Sequence, residues 1–365
     1  MTEEKLIPSV VVVGGGYAGI AVAKALDERT KVTLIEPRDA FVHNVAALRA
    51  AVDPTLAPQI FLPYDQLLAH GEVVRDRAVR VDGTQVELAS GRMLRPDFIV
   101  LATGSTYPYP AKSDRDDSAE AIARYRHTYE QLVAARRVML LGAGAVGLEF
   151  AGEIAAAWPD QEITLVDQTP EILPGPYGPA LRDQLNRQLD ELGVERVLGT
   201  SLVELPATPP GELGAFAVTT ANGTLIDGDI WFRTYGVQPS TDYVAGDLVD
   251  AIATGAYLRV TPRLTVVGHD RVYAIGDIAD IDINRASVAG RQAQLAASNI
   301  LAAIDGGEGS DYTPNPVSII LPLGPQHGTG QLASGDLATT EQVANAKGRD
   351  LMIDRFKNLL GSSEG

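Results

Sequence analysis

The sequence predicts an α/β fold: two Rossmann-like units, each a parallel sheet with crossover helices, followed by a small C-terminal α+β segment. Three observations carry that expectation. A short apolar run ends in a glycine-rich turn, Gly14-Gly15-Gly16-Tyr17-Ala18-Gly19. The same arrangement returns further along as Gly142-Ala143-Gly144-Ala145-Val146-Gly147, an internal repeat. Each turn is followed, about 20 residues on, by an acidic residue at the end of a second apolar run, Glu36 in the first unit and Asp167 in the second.

The elements follow in order. Pro8 to Val13 is β-branched and apolar throughout, the pattern of a strand buried on both faces. Ile20 to Glu28 reads as a helix, with Ala21, Ala25 and Leu26 at helical spacing, and Lys31 to Glu36 as the next strand. From Glu72 to Leu94 short alternating stretches are separated by Asp82-Gly83 and Ser90-Gly91, which predicts an antiparallel hairpin or three-stranded excursion. Asp97 to Leu101 returns as a buried strand ending in Ala102-Thr103-Gly104-Ser105, and Tyr107 to Asp117, rich in Pro, Asp and Ser, is a linker.

The second unit repeats the scheme. Arg137 to Leu141 is a strand, a helix runs through Ala157, and Ile163 to Asp167 is the following strand. A helix over Leu181 to Leu192 precedes a second antiparallel excursion, Glu204 to Ile230, and a returning strand over Trp231 to Gly236. Val272-Tyr273-Ala274-Ile275-Gly276-Asp277 is a strand with Gly-Asp at its end. A long helix from about Arg285 to Ile304 follows, then a break at Gly306 to Ser310, a strand-like run from Val317 to Leu323, and a helix over Thr340 to Leu360.

The 365 residues leave room for two or three domains with a sizeable core. A formal net charge of −17 argues against a nucleic-acid partner, which requires a basic surface, and against docking on an anionic membrane by charge alone. There is no cysteine, so disulfides, thiolate metal sites, cysteine-ligated clusters and cysteine nucleophiles are excluded, and no metal site is expected. The N-terminus lacks the basic start and apolar core of a signal peptide, position 2 is Thr2 and not glycine, and no apolar run reaches the length of a membrane span. The expected location is the cytoplasm, with peripheral membrane contact left open.

The physics of the motifs points to dinucleotides. A strand that feeds a helix through G-x-G-x-x-G places a pyrophosphate on free helix N–H groups at the positive end of the helix dipole. The glycines permit the turn and the close approach, and the acidic residue takes the ribose hydroxyls. Asp277, at a strand end, is placed either to accept from a polyol such as the ribitol of FAD or simply to cap the next helix. Ala102-Thr103-Gly104 and Thr234-Tyr235-Gly236 end the last strands of the two units, either in backbone contact with the dinucleotide or as plain turns.

In their order, these motifs resemble the two-dinucleotide-binding flavoprotein superfamily, with its glutathione-reductase-like architecture. Phe41-Val42-His43-Asn44-Val45-Ala46-Ala47-Leu48-Arg49-Ala50, Leu101 to Thr106 and Val272 to Asp280 more closely resemble the ferroptosis-suppressor-type branch. That branch belongs to the apoptosis-inducing-factor-like, mitochondrion-associated family, which is related to type II NADH dehydrogenases. The resemblance covers essentially the whole chain. It implies FAD as prosthetic group, NADH as donor with NADPH left open, and a quinone as acceptor. Reduction of a small electron-carrier protein and an NADH-sensing redox switch remain as alternatives, and a homodimer is left open.

Carried over by position, Gly14, Gly16, Glu36, Thr103 and Asp277 match the FAD site. Tyr17, Ala18, Gly19, Pro37, Arg38, Val79, Ala102, Gly104 and Gly276 are assigned to the same site. His43, Asn44 and Arg49 match the segment beside the flavin. Gly142, Gly144, Val146, Gly147, Glu149, Asp167 and Gly236 are assigned to NAD(P)H, with Glu149 near the nicotinamide and, like His43, a candidate catalytic residue. The expected organisation is an FAD domain from 1–110 and 240–305, an NAD(P)H domain at 111–239, and a segment at 306–365 that caps the flavin. The sequence departs from the animal members at Thr2, where they carry a myristoylated glycine, and at Ile278, where they carry cysteine. Without a cysteine pair the acceptor must meet the flavin directly.

Two residue-level alternatives stay open. His43 is either a general acid or a group packed against the flavin. Asp167 either favours NADH by repelling a 2′-phosphate or is only a strand-end carboxylate. The apolar face formed by Leu351, Met352, Phe356, Leu359 and Leu360 suits a membrane surface, a quinone entrance, or packing against the FAD domain or a dimer partner.

Overall fold

The computed structural model describes residues 7–282 and 286–361. The readings at Thr2 and at Arg285 lie outside the described residues. Among the described residues, nine parallel strands form the frame: β1 (Ser9–Val13), β2 (Lys31–Glu36), β3 (Glu72–Arg75), β4 (Phe98–Leu101), β5 (Arg137–Leu141), β6 (Glu162–Asp167), β7 (Val194–Leu198), β8 (Ile230–Arg233) and β9 (Val272–Ala274). They make two sheets, one in the order β9-β4-β1-β2-β3 and one in the order β7-β6-β5-β8, with every neighbour parallel.

Alternation along β1 shows how the first sheet is buried. Val10 and Val12 face the helical layer made by α1 (Tyr17–Leu26) and α3 (Ala286–Ile304), while Val11 and Val13 face an antiparallel layer with Val81, Val86 and Leu88. Both faces are covered, which is why the strand reads as an uninterrupted Val run. Each such side chain contributes roughly 1.5–3 kcal/mol on burial. The second sheet repeats the plan. Val138 and Leu140 of β5 pack with Leu148 and Ala151 of α2 (Ala145–Ala157), and Met139 and Leu141 pack against Val218, Ile226 and Trp231. The two chain crossings between the sheets pair antiparallel, Ser105–Thr106 with Gln238–Pro239.

Two expectations need correction, and one strand carries no clear signal in the sequence. Glu72–Arg75 is not part of the antiparallel excursion; it is the parallel edge strand beside β2, and only Ala78–Val81, Val86–Leu88 and Met93–Leu94 form the three-stranded antiparallel piece. β7 was hidden by its polar residues, Glu195 and Arg196, which an edge strand tolerates. The helix expected over Thr340 to Leu360 is broken. A capped turn, Thr340–Val343, runs into a π-helical turn, Ala344–Gly348. Leu351 (φ 53°) and Met352 (φ 61°) are left-handed, and α4 (Ile353–Leu360) starts afresh. The break turns Leu351, Ile353, Phe356 and Leu360 inward together. Ahead of it lies a three-stranded antiparallel sheet, Ile319–Leu323, His327–Gln331 and Leu337–Ala338. Among the described residues no helix is long and apolar enough to cross a membrane.

Candidate functional site

The two glycine turns are superimposable in their contacts. Gly14 (φ 103°) and Gly142 (φ 117°) both lie in the left-handed region. A Cβ on Gly14 would stand 2.6 Å from the Ala102 carbonyl oxygen, and one on Gly142 would stand 2.8 Å from that of Thr234. The third glycine of each motif is packed as tightly, with a Cβ on Gly19 or Gly147 falling within 1.9 Å of the carbonyl oxygen of Gly14 or Gly142. The middle glycines differ. A Cβ on Gly16 or Gly144 would meet nothing within 4 Å. These two are the N-caps of α1 and α2, and neither helix start receives a side-chain cap. Each helix therefore presents free N–H groups to open space in front of a parallel sheet, the geometry that takes a pyrophosphate.

The two strand-end acids are held alike. Glu36 Oε2 accepts from Gly15 N–H at 2.6 Å, and Asp167 Oδ2 accepts from Ala143 N–H at 2.7 Å. The remaining oxygens accept locally, from Arg38 N–H and from Thr169 N–H and Oγ1. A carboxylate has about four acceptor sites, so each still has capacity for a ribose hydroxyl. Arg38 Nε, beside Glu36, is buried with no hydrogen-bond partner among the described residues. Asp167 borders a cavity of about 240 Å³ shared with Gly142, Gln168, Thr200, Ser201 and Tyr235, and none of the residues that line it is Lys or Arg. The residues present fit two dinucleotides.

At the end of β9, Asp277 is engaged from the side. Ser105 Oγ donates to its Oδ2 at 2.6 Å, and Lys112 Nζ lies 3.4 Å from the same oxygen. Lys112 also donates to the Ser105 carbonyl oxygen at 2.7 Å. Burial pushes the Lys112 ammonium below its ordinary range, while Asp277 pulls it back up. Gly276 N–H donates to Gln292 Oε1 of α3, and Thr103 Oγ1 donates to the Ser240 carbonyl oxygen. Sequence reasoning missed Lys112; it sits in the linker and carries no motif.

His43 is fully buried. Its Nε2 bonds the Leu351 carbonyl oxygen at 2.6 Å and its Nδ1 faces Tyr17 Oη at 3.1 Å. Phe41, Tyr17 and Phe356 surround the ring, with centroids 6.3, 5.9 and 4.8 Å away. With both nitrogens engaged, the geometry favours packing over acid chemistry. It also uses up the apolar face of α4, since Phe356 and Leu360 lie inside the same cluster with Leu359 and Met352 against it.

Four charged residues meet along α2. Lys347 Nζ donates to Glu149 Oε1 at 2.6 Å. One turn further on, Glu153 receives Arg49 Nε at 2.9 Å and Nη2 at 2.8 Å. Arg49, read from sequence as a flavin neighbour, is thus turned toward α2. Burial raises the Glu149 carboxyl above its ordinary range, with Lys347 opposing. Glu153 carried a sequence signal, a carboxylate one turn past Glu149 on an otherwise apolar helix; Lys347 carried none.

The other assigned residues take plainer places. Asn44 opens a 3₁₀ turn and Val146 is half-buried in the first turn of α2. Val79 is exposed on its strand, and Pro37 offers its carbonyl to Arg75. Ala18 and Ala102 are buried against the first turn. Gly104 and Gly236 are left-handed with open space where a Cβ would sit. Tyr64, not assigned from sequence, donates from its hydroxyl to the Gly15 carbonyl oxygen at 2.9 Å and so braces the first turn. Among the described residues no His, Asp or Glu cluster could hold a metal.

Comparison with known proteins agrees with this fold. The family profile described as pyridine nucleotide-disulphide oxidoreductase matches residues 8–293. Ferroptosis suppressor protein 1 of Taeniopygia guttata is 31% identical over 361 residues, covering 97% of this chain and 96% of that one. The structure of NDH2 from Plasmodium falciparum, solved with NADH, has a TM-score of 0.73 at 11% identity and covers 93% of both chains. The sulfide:quinone oxidoreductase of Aquifex aeolicus has a TM-score of 0.69 at 17% identity, covering 88% of this chain and 83% of that one.

Proposed function

The chain belongs to the pyridine nucleotide-disulphide oxidoreductase family, and on that premise we propose that it passes electrons from NADH to a quinone-type acceptor. It is an FAD-dependent NAD(P)H oxidoreductase. One observation carries the reading of the acceptor: a chain with two dinucleotide cradles holds no cysteine at all. A thiol relay, the feature in the family's name, is unavailable, so the acceptor must come to the cofactor itself. The shared fold with a sulfide:quinone oxidoreductase supports an acceptor of quinone type.

The units are assigned accordingly. Residues 1–110 and 240–305 hold FAD, 111–239 hold the nicotinamide dinucleotide, and 306–365 cap the flavin. When bound, FAD supplies the two-electron chemistry, taking reducing equivalents from the nicotinamide and giving them to the acceptor. The free N–H groups that open α1 and α2 hold the diphosphates, and Glu36 and Asp167 orient the riboses. Asp277, with Ser105 and Lys112, holds the flavin side chain. Asp167, in a cavity lined by no cation, excludes a 2′-phosphate and so favours NADH. Glu149 and Lys347 border the nicotinamide, where Lys347 Nζ donates to Glu149.

The test is stopped-flow absorbance of the FAD-loaded protein, mixed first with NADH and then with a water-soluble quinone. Rapid bleaching followed by rapid recolouring is expected. Bleaching that a quinone does not reverse would remove the quinone and leave a protein carrier or a redox switch.

A further inference from the structure

We propose that Arg49 is a positioning residue: by gripping Glu153 and the backbone after Lys347 at once, it decides where Lys347 stands. Arg49 lies on the short helix Ala47–Ala50, far in sequence from both partners. Its Nε and Nη2 make a two-pronged bond to Glu153, and its Nη1 donates to the carbonyl oxygens of Gly348 at 2.6 Å and Arg349 at 3.2 Å. The pair is nearly sealed from water, with 12% of the Arg49 side chain and 6% of that of Glu153 exposed. A buried pair of this kind returns little net stability, because the desolvation of both ions offsets their attraction. What the planar fork provides is geometry.

That geometry acts on Lys347. The two carbonyls that Arg49 holds belong to the residues directly after Lys347, at the end of the π-helical turn that carries it. Glu149 and Glu153 are one turn apart on the same face of α2, so their carboxylates are neighbours. With Arg49 in place, each acid has its own cation, Glu153 with Arg49 and Glu149 with Lys347. Without the fork, the backbone after Lys347 is no longer tied to Glu153 of α2. Lys347 then leaves the position beside Glu149.

The inference rests on the reading above, that Glu149 and Lys347 border the nicotinamide. Its test is a double-mutant cycle on the FAD-loaded enzyme with Arg49→Lys, Lys347→Met and the pair. The measurements are the rate of bleaching by NADH and, separately, the calorimetric Kd for NAD+. Arg49→Lys keeps the charge and loses the fork. It should slow bleaching about tenfold, because displacement of a group beside the reacting atoms by a fraction of an ångström is felt strongly. The Kd should stay within about twofold, and the double variant should be no slower than Lys347→Met alone, since coupled residues do not add. Glu153→Gln should reproduce the slowing by a change at the other end of the fork, and it replaces Arg49→Lys should that variant fail to load FAD. Slowing that multiplies in the double variant, or unchanged bleaching in the single ones, overturns the role of Arg49 while the functional reading stands. A wild-type enzyme that NADH does not bleach overturns both.

Discussion

Tyr17 Oη stands 3.1 Å from His43 Nδ1, and the bonds on either side decide which atom carries the proton. Val45 N–H donates to the Tyr17 oxygen at 3.1 Å, leaving the hydroxyl proton free to point at Nδ1. At the far side of the ring, Nε2 faces the Leu351 carbonyl oxygen, which can only accept. His43 is therefore neutral, with its proton on Nε2. It ties the first glycine turn, through Tyr17, to the left-handed break that starts α4. Burial lowers its affinity for a proton below the ordinary imidazole range, in agreement with that arrangement.

The first prediction follows from that tie. His43→Ala should cost about 2–4 kcal/mol of stability, for a cavity in an aromatic cluster and a carbonyl left without its donor. The rate of flavin bleaching by NADH should stay within about threefold of wild type if the ring has no acid–base role. Thermal melting and stopped-flow on one preparation check both, and a loss of about a hundredfold in rate at unchanged stability would return His43 to catalysis.

The same residue predicts a pH dependence. Its folded-state affinity for protons is lowered, so the unfolded chain binds the extra proton first. The contribution of His43 to stability is complete above the unfolded imidazole pKa of about 6.5 and is lost as pH falls below it toward the lower folded value. Urea titrations between pH 7.5 and 5 should show stability falling in wild type. The fall should be shallower in His43→Gln, which cannot titrate.

The two glycine turns should separate by substitution. Gly147→Ala puts a Cβ within 1.9 Å of the Gly142 carbonyl oxygen, and Gly19→Ala does the same 1.8 Å from that of Gly14. Gly147→Ala should give a yellow protein that binds FAD but is bleached by NADH at least about tenfold more slowly. Gly19→Ala should give colourless or insoluble protein. Flavin content by absorbance separates the two, and a colourless Gly147→Ala would reverse the assignment of the units.

Donor choice should follow Asp167. On the proposed reading, Asp167→Ser removes the charge that would face a 2′-phosphate and one ribose acceptor. Steady-state kcat/KM for NADH should fall roughly tenfold, the scale of one hydrogen bond to a charged acceptor. That for NADPH should rise, and parallel titrations with both donors read the ratio. An unchanged ratio would make Asp167 only a brace for Ala143.

Lys112 should set the potential of the bound flavin. Replacing it by Met takes a cation from beside Asp277 and Ser105. A cation there favours the more negatively charged, reduced cofactor, so its loss should move the midpoint potential to more negative values, on the order of 30 mV for about 1.4 kcal/mol. Spectroelectrochemistry measures this directly, and an unshifted potential would place Lys112 away from the ring.

The parallel frame, the doubled glycine turns and the carboxylates at Glu36 and Asp167 were legible in the sequence because each is a local rule. A strand buried on both faces needs an apolar run, a helix that receives a pyrophosphate needs glycines at fixed steps, and the acid follows one strand later. Those constraints act within a few dozen residues, so they leave a pattern that can be read. The partners of the site leave none. Lys112, Tyr64, Lys347 and Arg49 reach their contacts across 165, 49, 198 and 104 residues of chain, to Asp277, Gly15, Glu149 and Glu153. Which carboxylate Arg49 paired with, and whether the apolar face of α4 met lipid or the cluster around His43, depended on which surfaces the fold brought together. Only packing of the C-terminal segment against both units decided that, because the free energy of burying a charge or an aromatic face is set by its neighbours in space and not by its neighbours in sequence.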